Sequence, residues 1–471
     1  MNASLLLRGC AALALVPMTA SLAASWSVVE TAKDTPHRLA RLTAPAATKS
    51  AAPAGALVVD PAQRFQEMIG FGGALTESSA WVLAQLPPAQ RLEVIRRYYD
   101  PQQGIGYTMA RTHLNSCDFS LSLWSLAPTE GDYDLHSFTL EPMRAWLLPL
   151  LQDARRVAGG DARFRLLVSP WSPPHWMKTN FRMDDGGSLR REYAPAWANM
   201  FVKFAQHMER EENFPVWGFT VQNEPEAHQV WESCLYTPEQ ERDFVKNHLG
   251  PALRRAGLSD RIKLIGWDHN RDRLEARAAA LLGDPECAQY LWGLGIHWYV
   301  SNDFAASARV HAQFPDKPIL FTEGCVESGT LIVRWENGER YATQMIGDFH
   351  HWVAAYIDWN VVLDQRGGPN HVGNFCDSPV IVNTETKEVS YGASFYYIAH
   401  FSKYVKPGAR RIGSSGCAGL DSVAFANPDG SLVAVVMNKS AAPAGFSLAV
   451  GSEKLACSIP ARAIQTYIRT P

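Results

Sequence analysis

Between Phe65 and about Leu363 the chain repeats one pattern: a short apolar run, a polar break, then a longer stretch whose apolar positions recur with helical spacing. Short apolar runs bounded by turn residues predict buried parallel strands, and their alternation with helical stretches predicts βα units around one sheet. The runs fall at 68–70, 107–112, 164–169, 216–221, 262–266, 293–297, 318–322 and 356–360. Eight such units are the number that closes a (β/α)8 barrel. Helices are predicted at 195–210, where Pro195 suits a first turn, and at 238–248, where Thr237 is placed to cap.

Beyond about Ser378 the period shortens to two, as in Ser422-Val423-Ala424-Phe425-Ala426 and 431–436, with Asn427-Pro428-Asp429-Gly430 as the hairpin turn between them. That change predicts an all-β module. Residues 26–43 are also β-prone and are followed by a linker, 44–56, rich in Ala, Pro, Ser and Thr. The expected fold class is therefore α/β: a (β/α)8 TIM barrel with an all-β sandwich side domain built from the C-terminal segment and the N-terminal strands. The expected divisions are a leader at 1–24, an N-terminal β segment and linker at 25–56, the barrel at 57–378 and the sandwich at 379–471. No internal repeat of 20 to 50 residues is visible in the sequence.

The leader reading rests on Arg8, the apolar stretch through Met18 and small residues before Ala23 and Ala24, the pattern of a cleaved secretory signal peptide. It predicts a secreted or periplasmic protein with no membrane-spanning segment. Losing the leader removes Cys10 and leaves Cys117, Cys234, Cys287, Cys325, Cys376, Cys417 and Cys457, an odd and scattered set that predicts small buried core residues rather than a disulfide framework. No metal-ligand spacing occurs, so neither metal nor cofactor is expected. A net charge of −3 over 471 residues gives no basis for nucleic-acid binding. The 15 Trp and 20 Phe residues suit flat apolar surfaces against sugar rings, besides packing a core.

Two apolar runs end in glutamate: Phe219-Thr220-Val221-Gln222-Asn223-Glu224-Pro225 and Ile319-Leu320-Phe321-Thr322-Glu323-Gly324. Strand ends and the loops after them form the active face of a barrel, so these two carboxyls are expected to meet across one pocket. Such a pair is what hydrolysis of a glycosidic bond requires, one as proton donor and the other as nucleophile or base.

Around the glutamates lie, in order, Phe65 to Thr76 with its Gly70-Phe71-Gly72-Gly73 core, Ser116-Cys117-Asp118-Phe119-Ser120, Ser169-Pro170-Trp171-Ser172-Pro173-Pro174, Asn223-Glu224-Pro225, His297-Trp298-Tyr299, Glu323-Gly324-Cys325 and Gly367-Gly368-Pro369-Asn370. This succession resembles glycoside hydrolase family 30, and within it the glucosylceramidase branch. The resemblance implies a barrel with a β-sandwich side domain and retaining β-glycosidase chemistry. It implies Glu224 as acid/base, Glu323 as nucleophile, Arg111 holding the nucleophile ionised, and Asn223 on the sugar 2-hydroxyl. It also implies Asp118, Trp171, Trp359 and Asn370 as glucose-binding residues. His297 and Tyr299 are read as tuning the carboxylates. The plainer alternatives are a structural ion pair for Arg111, a scaffold histidine for His297, a solvated loop residue for Asp118, core packing for Trp359 and turns for Asn223 and Asn370.

The chain departs from the branch at the aglycone side: the N-terminal cysteine pairs have no counterpart, His371 stands where tryptophan is found, and the loop 226–231 differs. The expected function is a retaining exo-acting β-glucosidase, a glucosylceramidase, whose partner is a β-glucoside such as a glycosphingolipid met in transient contact with a membrane or micelle. The alternatives are an endo-β-1,6-glucanase or xylan-cleaving enzyme of the same family, and a carbohydrate-binding protein without turnover.

Overall fold

A computed structural model describes residues 25–50, 52–53, 55–327, 329–330, 334–417 and 419–471. The predicted leader lies outside the described residues. The barrel strands are β1 Gly70–Ala74, β2 Met109–Leu114, β3 Arg165–Pro170, β4 Gly218–Thr220, β5 Lys263–Asn270, β6 Gly293–His297, β7 Ile319–Glu323 and β8 Val353–Asn360. Each pairs with the next, and β8 pairs in parallel with β1 to close the barrel. Met109, Leu167, Ile265, Leu320, Ala355 and Ile357 fill its interior, so the lower barrel is a packed apolar core.

Two strands differ most from expectation. β1 begins where the predicted strand ends, because its glycines read as loop. A Cβ on Gly72 would meet the Met109 carbonyl oxygen at 2.2 Å, so glycine there permits β1 and β2 to approach. β5 runs on through Asn270 because Trp267 and Asp268 take positive φ values of 70° and 59°, and the pairing with β6 slips between Gly295 and Ile296. That bulge turns Asp268 into the barrel.

The helix expected at 195–210 is Ala194–Glu212. The one expected at 238–248 starts at Pro238 behind a reciprocal capping box between Thr237 and Gln240, then passes through a π-helical turn, Val245–Leu249, into Gly250–Arg255.

The side domain is one ten-stranded sheet coiled over itself. Ser25–Ala32 pairs antiparallel with Ala463–Thr470 along its whole length, joining the two chain ends. Val28, Leu57, Ile412, Ala434, Leu448 and Tyr467 share its core. Leu57–Glu67, expected within the barrel segment, is instead a strand of this sheet, pairing with Arg410–Ser414 and Ala444–Val450. Leu57 and Val59 are buried with Val58 exposed between them, the alternation of a sheet with one face on a core. Within 379–471, expected to be wholly β, Ala393–Ser402 is a helix packed against Trp335–His350. It is apolar nearly all round because it is wedged between barrel and sheet, where His400 reaches Thr31 and Thr466 at 3.0 and 2.8 Å. Among the described residues no helix is long and apolar enough to cross a membrane.

Candidate active site

At the C-terminal end of the barrel the apolar layers give way to a layer of polar side chains. Arg111 on β2 is wholly buried and satisfies every face of its guanidinium. Its Nε donates to Ser169 on β3 at 2.9 Å, Nη1 donates to Glu323, and Nη2 donates to Asp268 and Asn223 at 2.8 Å each. Thr322 donates to the other oxygen of Asp268 at 2.6 Å. The planar fork of arginine is what lets one side chain organise two carboxylates and an amide.

Glu323 is the last residue of β7. Arg111 reaches its Oε2, and the Tyr299 hydroxyl donates to Oε1 at 2.8 Å. Glu224 lies just beyond β4 with φ of 47°, a left-handed conformation that costs a non-glycine residue about 1–3 kcal/mol. The turn is held because Glu224 N–H donates to the Asp268 carbonyl at 3.0 Å and Asn223 N–H to the Pro170 carbonyl at 2.8 Å. His297, at the end of β6, joins the two halves: Nε2 lies 3.0 Å from Asp268 and Nδ1 3.1 Å from Glu224. Glu224, His297 and Glu323 thus bring one atom each within 4.8 Å of one another.

Burial disfavours a charge on His297, but Glu323, Asp268 and Glu224 outweigh it and push its pKa up to about 9. Its nitrogens therefore carry protons at neutral pH, which opposes their use as metal ligands. Asp268, despite burial, is held well below the usual carboxylate range by Arg111 and His297. Burial raises Glu323, with the charge on Glu224 adding to the rise and His297 and Arg111 opposing it. Glu224 is also desolvated, yet the His297 hydrogen bond and the nearby His269 draw it down. The two carboxyls titrate as a pair.

A cavity of ≈ 260 Å³ opens in front of them. Trp171 and Trp359 form one wall as a stacked pair, ring centroids 5.3 Å apart. Asp118 faces the cavity, with Oδ2 accepting from Asn374 at 2.9 Å and Oδ1 buried without a partner among the described residues. Burial, and then the charge on Glu323, push Asp118 up to about 8.

The structure thus brings together Glu224, Glu323, Asn223, Arg111, His297, Tyr299, Asp118, Trp171 and Trp359. Asn370 is the exception. Its Oδ1 accepts from the backbone N–H groups of Val372 and Asn374, and its amide donates to the Asn374 carbonyl at 3.2 Å, so it shapes the loop. Asn374, four residues on, is the cavity residue. Sequence reasoning missed it because the Gly-Gly-Pro-Asn motif drew attention to its own asparagine. It also missed Asp268, which the available signal would have found: Asp268-His269-Asn270 closes an apolar strand as Glu224 and Glu323 do.

Two carboxyls this close at the C-terminal mouth of a barrel, backed by an aromatic wall, define a glycoside hydrolase. The chain belongs to glycosyl hydrolase family 30: the family's TIM-barrel domain matches residues 68–405 and its beta sandwich domain residues 408–467. It is 36% identical over 406 residues to the lysosomal acid glucosylceramidase of Mus musculus, covering 82% of this chain and 77% of that one. Among solved structures, SrfJ from Salmonella typhimurium is similar with a TM-score of 0.90 and 31% identity, covering 95% of this chain and 100% of that one. The endo-beta1,6-glucanase BT3312 is similar with a TM-score of 0.84 and 28% identity, covering 95% and 99%.

Proposed function

We propose that this glycosidase is a retaining, exo-acting β-glucosidase whose substrate is glucosylceramide, with Glu323 as nucleophile and Glu224 as acid/base. The observation that carries the reading is the spacing of the two carboxyls, each with an atom within 4.8 Å of the other. Retaining glycosidases hold the pair about 5–5.5 Å apart, whereas inverting ones leave room for a water between them.

The donors assign the roles. By burial the shared proton would favour Glu323, but Arg111 and Tyr299 aim one donor at each of its oxygens, the pattern a carboxylate satisfies. We therefore place the negative charge on Glu323 and the proton on Glu224, which receives a single donor from His297. Glu323 attacks the anomeric carbon as Glu224 passes its proton to the departing oxygen. Glu224 then takes a proton from the water that releases the sugar with its configuration retained. Because Asn223 Oδ1 already accepts from Arg111, its amide N–H₂ is left to donate to the sugar 2-hydroxyl. Asp118 Oδ1, buried and unpaired, is suited to accept from glucose hydroxyls, and the stacked tryptophans to pack on the ring.

A lipid aglycone is supported by the mouth, where Val300 lines the cavity and is 64% exposed, and Val230, 68% exposed, sits between two lining residues. An endo-β-1,6-glucanase is the second reading, supported by the 28% identity to BT3312 over nearly the whole chain. Xylan cleavage and sugar binding without turnover are further alternatives. Glucose release from glucosylceramide in mixed micelles, run beside β-1,6-glucan and xylan with Glu323→Gln as blank, decides among them. Release from the lipid alone is expected; cleavage of a polysaccharide alone overturns the substrate, and no cleavage by folded protein overturns the enzyme. A location outside the cytoplasm follows from the leader reading, and a mature N-terminus at Ala24 or Ser25 is its test.

A further inference from the structure

The seven described cysteines are all free and buried, but two differ in where they are buried. Cys325 and Cys376 line the sugar cavity, although only 3% and 2% of their surfaces are exposed. Both belong to the small apolar cluster that carries Trp171 and Trp359. The two thiols lie near enough to act on one another electrostatically. Two backbone contacts hold the segments in register: an isolated bridge pairs Glu327 with Cys376, and Asp377 N–H donates to the Val326 carbonyl at 2.8 Å. The Tyr299 hydroxyl that donates to Glu323 also lies 3.6 Å from Cys325 Sγ. Neither thiol has a part in glycoside hydrolysis. Cys117 lies in the same cluster but does not line the cavity.

We propose that Cys325 and Cys376 form a two-thiol site in the cavity wall that captures a soft, thiophilic metal or metalloid centre and thereby stops turnover. Soft centres select thiolate sulfur over the oxygen and nitrogen ligands that fill the rest of the pocket. Two thiols already fixed side by side bind such a centre as a chelate, so the second bond forms at high effective concentration. The exchange is balanced without a redox step: each thiol loses its proton as its sulfur bonds to the incoming centre. With a trivalent arsenic oxide, the two protons and the oxide leave as water and arsenic keeps its oxidation state. The bound group then stands beside Tyr299, within a hydrogen bond of Glu323, in the space the sugar needs.

Phenylarsine oxide is the probe, because closing a ring on two neighbouring thiols distinguishes it from reagents that take one. Intact-mass measurement on the native, full-length protein is expected to show one phenylarsenic group per chain, mapped to Cys325 and Cys376. Activity on the preferred substrate falls with the adduct and returns with a dithiol but not with a monothiol. In Cys376→Val the adduct is lost at equivalent reagent, and inactivation, scored against that variant's own untreated rate, needs about 100-fold more or higher, as expected when a chelate becomes a single bond. Cys325→Ala gives the same loss and serves if the valine variant folds poorly. Adducts on other cysteines, an adduct retained by both variants, or reversal by a monothiol overturns the proposal. The adduct count is independent of which β-glycoside the enzyme prefers.

Discussion

Arg111 and Arg271 are alike in three local respects: both are wholly buried, both pair with a wholly buried aspartate, and both lie close to an aromatic ring. They differ in what the ion pair faces. Arg271 binds Asp348 at 3.0 Å and Gln344 at 2.7 Å, tying the end of β5 to Trp335–His350, away from the cavity. Arg111 binds Asp268, but it also donates to Glu323 and Asn223, which line the cavity. Their aspartates diverge accordingly. Asp348, desolvated and opposed by one arginine, is pushed up to about 6, whereas Asp268 has His297 as well as Arg111 and is held low. Buried charge is therefore no mark of a site by itself. What marks the site is a charged network with one member left open to a ligand.

The sharpest break between the two clusters comes from removing an anion in each. Glu323→Gln is expected to lower kcat on the preferred glycoside by about 10⁴-fold or more, a small part of the rate enhancement glycosidases supply. Asp348→Asn is expected to leave kcat per folded molecule unchanged. Measuring both per folded molecule, with folding checked by circular dichroism, tests this; a Glu323→Gln rate within tenfold of the parent sinks the nucleophile assignment.

Next in size, the two arginines separate chemistry from stability. Breaking a buried ion pair from one side costs roughly 3–5 kcal/mol, so Arg111→Met and Arg271→Met should both lower the denaturation midpoint clearly. Only Arg111→Met should also lower kcat, by about 10²–10³-fold, since it strips a preorganised donor from the reacting carboxylate. If Arg271→Met loses as much kcat as Arg111→Met in the folded fraction, the distinction fails.

How much of this contrast was legible beforehand follows from which signals are local. Strand period, the eightfold alternation and two carboxylates at strand ends are carried by short stretches, so the barrel and Glu224 with Glu323 stood out in the sequence. Asp268 closes an apolar strand and carried the same local signal, but its role depends on a bulge in which two non-glycine residues take positive φ, and on partners from β2, β6 and β7. Asn374 was hidden for another reason: Asn370 and Asn374 share one loop, and only the folded loop turns the first inward on backbone groups and the second toward Asp118. The strand Leu57–Glu67 was misplaced because a side sheet that takes strands from both chain ends has partners hundreds of residues apart. Arg271 never stood out as a rival to Arg111, since nothing in the sequence says which buried arginine faces a cavity.

The two clusters should also titrate apart. Asp348 has a folded pKa above its ordinary value, so the native state binds more protons than the unfolded chain from about pH 4 to about 6, and its contribution to stability falls as pH rises through that window. His297, also raised, adds stability below its ordinary value that is lost as pH rises from about 6.5 to about 9. Asp118 and Asp358, both pushed up to about 8 chiefly by burial, act in the same direction up to that pH. Above pH 8 His297 should add to a decline that the buried thiols of Cys234, Cys287 and Cys457, all raised by burial, also produce, so the part that belongs to His297 is the difference between parent and variant. Melting curves of the parent and of His297→Gln across pH 6 to 10 check this; equal slopes between pH 8 and 9 would falsify the charged-imidazole reading.

The smallest effect is expected where an arginine pairs with two carboxylates but burial is absent. Arg309 contacts Glu275 and Asp303 at 2.6 Å each, a shorter geometry than either buried arginine makes with its aspartate, yet all three side chains are 43–47% exposed. Water screens the attraction, and fixing three long side chains costs entropy, so Arg309→Ala should leave both the denaturation midpoint and kcat nearly unchanged. Salt separates the cases further. Raising ionic strength should erase what little Arg309 contributes while leaving the Arg271→Met and Arg111→Met differences nearly intact, because counterions do not enter the buried clusters. A loss at Arg309 as large as at Arg271 would mean that pair geometry, and not burial, sets the energy of these arginines.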